Sequence, residues 1–147
     1  MAVSEATENR ILDVLMPILT GIGTPASSWL TQPAVAEGIP PDSVPAGDRV
    51  YVHHVRTDET PPEAGTSQHY FRVRIAMWIF AETARQVCRI KADLLRALFA
   101  GEDALTAAFG QPLFPSEFVP RDDLSTAGHS AGRLEAYLDV VISHSAP

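Results

Sequence analysis

The chain reads as an α+β domain in which two helices pack on one face of a small, mostly antiparallel sheet. Three stretches predict this. Residues 68–100 begin as a strand: Phe71, Val73, Ile75, Met77 and Ile79 alternate with Tyr70, Arg72, Arg74, Ala76, Trp78 and Phe80, and a period of two sends the sets to opposite faces. From Glu82 the period lengthens to that of a helix, with Ala84, Val87, Cys88, Leu94, Leu95 and Leu98 on one stripe and Ile90 beside it. Residues 133–144, RLEAYLDVVISH, alternate again, and residues 11–22 carry a second helical stripe.

A chain of 147 residues can bury a real core as a single domain, 1–147. Its 46% hydrophobic content suits a globular protein, and 20% charge argues against general disorder. The formal net charge of −7 lacks the basic footprint of a nucleic-acid binder. Cys88 is the single cysteine, so no intrachain disulfide framework exists. The longest apolar run, residues 75–81, is too short to span a membrane. Glu5, Glu8 and Asp13 around the first apolar stretch speak against a secretory signal.

In chain order, Ser4 is the expected N-cap of the first helix, with Glu5 and Glu8 favoured near its positive end. Ile11, Leu15, Ile18 and Ile22, flanked by Leu12 and Leu19, form its apolar stripe. Pro17 removes one backbone bond and predicts a kink or fraying there, and Gly21 and Gly23 end the helix. Residues 24–48 hold five prolines and read as irregular, with Trp29 and Leu30 as candidate anchors.

A short strand follows at residues 49–56, then a polar arm at 57–67 carrying Asp58, Glu59, Pro61, Pro62, Glu63 and Gly65. In the second helix, Arg85, Arg89, Lys91, Asp93 and Arg96 are expected outside, and Gly101 stops it. Residues 102–132 are poorly periodic, with a short strand expected near Phe118 and a turn-rich loop over 124–132. On the last strand Leu134, Ala136, Leu138, Val140 and Ile142 share the apolar face.

The opposite sheet face would then carry Tyr70, Arg72, Arg74, Trp78, Glu135, Tyr137 and Asp139, with no helix left to cover it. Tyr70, Arg72, Arg74, Trp78, Glu135 and Asp139 are therefore the candidate subunit interface. The two arginines either pair with Glu135 and Asp139 within the chain, if those strands are neighbours, or pair across subunits.

No catalytic or metal-binding constellation emerges. His53 and His54 are adjacent on a strand and point to opposite faces, and His69, His129 and His144 lack ligand-type spacing. Cys88, on the apolar stripe, reads as a buried core residue. Ser130 beside His129 has no glycine-flanked elbow, and the pairs Asp122–Asp123 and Glu102–Asp103 read as solvated loop acids or helix-start residues. No cofactor is expected.

The order of elements resembles a known family. A proline-rich entry into a short strand (PAGDRVYVHHV) leads to a polar arm. A long strand then runs straight into a helix (RVRIAMWIFAETARQVCRIKADLLRALF), and a ragged stretch precedes the last alternating strand. This pattern, over residues 11–143, is similar to the tail terminator, or tail completion, proteins of long-tailed bacteriophages and related prophage or gene-transfer particles. Pro17 and the length of residues 24–48 depart from it.

The resemblance implies a non-enzymatic virion protein at the head-proximal end of the tail, assembled in the host cytoplasm as a homo-oligomeric, hexameric ring. Such a ring ends polymerisation of the tail tube protein and joins the head–tail connector protein, while DNA passes through without specific binding. The residues themselves leave other readings open. These are another connector or minor tail protein, a small-molecule-binding regulatory domain with its ligand against Tyr70 and Trp78, or a hydrolase using His53 or His129. In the terminator reading, Asp58, Glu59, Pro61, Pro62 and Glu63 form a ring or tube contact arm whose acids discourage DNA from adhering.

Overall fold

The computed structural model of the chain describes residues 3–60, 69–101, 103–104, 114–126 and 134–146, with side-chain burial for 9–56, 73–101, 103–104 and 134. Its elements are α1 (Val3–Thr20), β1 (Ala34–Glu37), β2 (Arg49–Thr60), β3 (His69–Ala81), α2 (Ala84–Ala100), β4 (Phe114–Thr126) and β5 (Leu134–Ala146). The strands form one five-stranded sheet in the order β1-β2-β3-β5-β4. Only the β1–β2 pair is parallel, so the fold is the expected α+β class with a mostly antiparallel, mixed sheet.

The alternation of β3 builds the core. Val73, Ile75, Met77, Ile79 and Ala81 are fully buried, and the register sets Val73, Ile75, Met77 and Ile79 opposite Ile142, Val140, Leu138 and Ala136 of β5. Val50 and Val52 of β2 continue this layer, and both helices close over it. From α1 come Ile11, Leu15 and Leu19, all fully buried. Removing such side chains from water at roughly 1.5–3 kcal/mol each makes this layer the main source of stability.

The helix ends depart from expectation in informative ways. α1 begins at Val3, so Ser4 lies inside its first turn instead of capping it. It also runs unbroken through Pro17 to Thr20. The proline sits in the last turn, so only the helix's final residues, up to Thr20, lie past the break in the bonding pattern, and the Thr20 hydroxyl donates to the Pro17 carbonyl at 3.2 Å. α2 is capped by Thr83, whose Oγ1 accepts from the Gln86 N–H at 3.1 Å. Gly101 does end α2, but at φ −85°, outside the left-handed region. A Cβ there would meet Ile18 Cδ1 at 2.5 Å, so any side chain at this position would require Ile18 to shift.

α2 is also rotated relative to the expected stripe. Val87, Ile90, Asp93, Leu94, Ala97 and Leu98 face inward, whereas Ala84 and Cys88 are exposed. Both the burial of Cys88 and the exposure of Asp93 are thereby corrected. The reason is a set of donors waiting for the carboxylate. Asp93 accepts from the Leu30 N–H at 3.2 Å, the Thr31 N–H at 2.8 Å and the Thr31 hydroxyl at 2.6 Å, and a buried charge held by several donors is tolerated where an unpartnered one is not. Beside it, Arg96 lies 4.8 Å from the Trp29 ring centroid and donates to the Ser28 carbonyl.

Residues 24–48 are thus more ordered than their prolines suggest. A single 3-10 turn (Ala26–Ser28) leads to the Asp93 clasp. Then β1 pairs in parallel with Arg49–Val52 at the sheet edge. Trp29 does pack against the core, but Leu30 is exposed, and the edge strand is β1 and not the Trp29–Leu30 pair.

Two more corrections concern strand extent. β2 continues to Thr60, four residues into the expected arm, through an irregularity between His54 and Arg56. β4 is a thirteen-residue strand where only a short one near Phe118 was expected, and it takes in Asp122 and Asp123. Pro115 and Pro120 are admissible because, among the described residues, β4 ends the sheet order with a strand neighbour on one side only.

Candidate interaction surface on the second sheet face

The even-numbered members of the β3 alternation lie on the face away from the helices, a face with two unlike ends. At one end Phe80 and Ala76 are fully buried. Val44 seals this end, reaching over from residues 38–48 to pack with Phe80, Tyr51 and Trp78. Tyr51 and Phe80 meet edge to face at 5.9 Å and 84°, and the Trp78 indole N–H donates to His53 Nε2 at 3.3 Å. The expectation that nothing covers this face therefore fails at this end. A loop does what no helix was left to do.

Towards the other end the face becomes charged. The register sets Arg74 between Arg56 and Val141, and Arg72 between Asp58 and Ser143. Asp139 stands opposite Ala76, Glu135 opposite Phe80 and Tyr137 opposite Trp78. β5 is indeed the neighbour of β3, but neither arginine faces Glu135 or Asp139 directly; Asp139 is diagonal to Arg74, and the acid directly across from Arg72 is Asp58 of β2. Glu117, Val119 and Arg121 of β4 continue the rows beyond Val141, Asp139 and Tyr137.

All six candidate interface residues therefore lie on two adjacent strands, with Tyr70 opposite Thr60 and Ser145. Arg74 and Trp78 are half-buried. Asp58 and Glu59 of the candidate arm belong to β2, opposite Arg72 and Phe71, while Pro61, Pro62 and Glu63 lie outside the described residues. The bulge at Val55 was not foreseen. It restores the alternation, so that Thr57 and Glu59 fall in register with Val73 and Phe71 while Arg56 and Asp58 share the charged face.

His53 and His54 lie opposite Ala76 and Ile75, on opposite faces as expected. Among the described residues no three His, Cys, Asp or Glu side chains come together as a metal site would require, and no helix is long and apolar enough to cross a membrane. His129 and Ser130 lie outside the described residues. Compared with protein-family models and with curated proteins, the chain finds no match in either.

Proposed function

We propose that this chain is a non-enzymatic ring subunit that caps the head-proximal end of a phage-type tail tube, ending tube polymerisation and presenting the surface to which a head connector joins. One observation carries the reading. The second sheet face combines a sealed apolar end with a band of both charge signs, Arg56, Asp58, Arg72, Arg74 and Asp139, spread over three adjacent long strands. A rigid, extended surface of mixed charge suits repeated contact between identical subunits, which meet in one fixed orientation around a closed ring.

Strand length adds support. β3 and β5 have 13 residues each, about 40 Å at strand rise. The 17 residues of α2 extend only about 25 Å. The β2–β3 pair thus outruns the helix layer, and its far end carries Asp58 and Glu59 to where a ring neighbour or the tube end would meet them. The proposed partners are further copies of the chain in a hexamer, the tube protein and the connector, with DNA traversing the opening unbound.

Light scattering and negative-stain imaging of the purified chain test this. The expected result is a closed ring, and an Arg72→Glu/Arg74→Glu double variant that keeps its far-ultraviolet spectrum but falls apart into smaller species. A wild-type chain that stays monomeric at all concentrations overturns the ring. A double variant that assembles like wild type across dilution and salt removes this face from the contact.

A further inference from the structure

The contact between Trp78 and His53 has a chemical consequence independent of any ring. An indole N–H can only donate, so the histidine nitrogen 3.3 Å from it must be unprotonated. The bond therefore exists only with a neutral His53 ring. Trp78 is at the same time a wall of the small cluster in which Val44 covers the fully buried Phe80. Protonating His53 at Nε2 would set one N–H against another and end the bond.

We propose that His53 and Trp78 form a proton-operated latch, closed when His53 is neutral, that holds the cover of residues 38–48 over this end of the second sheet face. The sign follows from which form is bonded. A hydrogen bond made only by the neutral ring disfavours charging, so the latch adds stability at higher pH and loses it as pH falls through the histidine range, ordinarily near ~6.5.

The surroundings set how readily this happens. On β2, Arg56 shares the face beyond the bulge and Tyr51 lies on the near side. On β3, Ala76 is directly opposite and Arg74 diagonal. On β5, Asp139 stands beyond Ala76. The chain leaving β1 brings Gly38, which has no side chain, to the level of His53; its N–H donates to the Val52 carbonyl at 2.8 Å. The covering loop has two acids, the exposed Asp42 and the half-buried Asp48, which accepts from Gln86 Nε2 at 2.8 Å. Arg56 and Arg74 carry the positive charge that opposes an imidazolium on this face.

The test follows the Trp78 indole N–H resonance, assigned by its loss in Trp78→Phe, and the His53 ring resonances of the full chain between pH 8 and 5. The expected result is one shared midpoint, with the closed-to-open ratio falling tenfold per pH unit below it, while circular dichroism stays native. His53→Gln, whose amide oxygen accepts the same bond without titrating, abolishes the indole transition, and His54→Gln retains it. An indole transition that persists in His53→Gln overturns the latch. So does a His53 ring that titrates without moving the indole, or that stays neutral until the chain unfolds. Should His53→Gln fail to fold, coincidence of the two wild-type midpoints decides: equal midpoints support the latch and unequal ones overturn it.

Discussion

The two faces of the sheet are closed by different means. The helix-covered face is sealed by periodic elements, with α1 and α2 laying continuous apolar stripes on Val73, Ile75, Met77 and Ile79. On the second face, Val44 from a proline-rich loop seals one end, and the register places Arg56, Asp58, Arg72 and Arg74 towards the other. Residues 24–48 connect the two solutions. They start at the helix layer, clasped by Asp93, pass the sheet edge as β1, and finish over Phe80 on the far side. A layer built from stripes spreads its stability over many side chains. A cover built from a loop depends on a few.

The sharpest way to break this comparison is to charge one residue on each face. Ile75→Asp places a carboxylate without a partner in the middle of the helix-covered layer. The cost is on the order of several kcal/mol, comparable to the whole stability of a domain this size, and cooperative unfolding should be lost. The Arg72→Glu/Arg74→Glu variant, on the other face, should still unfold cooperatively in a thermal melt. A soluble, cooperative Ile75→Asp would show that the faces have been assigned the wrong way round.

A smaller effect is expected at the clasp. Asp93→Ala leaves the Leu30 and Thr31 N–H groups and the Thr31 hydroxyl without their acceptor. A loss of about 2–3 kcal/mol in chemical denaturation is expected, with faster amide exchange at Leu30 and Thr31. A change below about 0.5 kcal/mol would mean that water replaces the carboxylate at no cost, and that the segment is held by β1 alone.

The smallest effect is expected at the loop cover. Val44→Ala should cost about 1–2 kcal/mol and should increase proteolysis within residues 38–48 while leaving protection of β3 amides unchanged. Equal loss of protection across β3 would show that the second-face cluster is part of the main cooperative unit instead of a detachable cover.

The two faces also differ in how much of them could be read beforehand. Periodicity is a property of neighbours in the chain, so the inward set of β3 and most of the α1 stripe were legible from spacing alone, although Leu19 is fully buried and Ile18 only half-buried. That β5 pairs with β3 was not legible in this way. The placement of Arg74 and Trp78 on the face opposite Val73, Ile75 and Met77 was legible for the same reason as the inward set, since they are the other half of the same alternation. α2 was read with an error of one rim, because Cys88 and Ala84 look apolar enough to be inside and Asp93 looks too polar.

By itself, then, the chain determined its class, the faces of its long strands and the presence of both helices, because each is encoded within some ten to twenty consecutive residues. Only the tertiary structure decided the rest. Asp93 is inside because donors 62 and 63 residues away meet it. β4 is a strand despite Pro115 and Pro120 because, among the described strands, it lies at an edge, where one side needs no donors. Val55 bulges and shifts the β2–β3 register by one residue, so that Thr57 pairs with Val73 and Arg56 with Arg74. Val44 is buried because Phe80, on the opposite face from the helices, offers apolar surface that only a returning loop could cover. In each case the deciding partner is distant in sequence. Burial and hydrogen bonding between distant segments leave no local period to read.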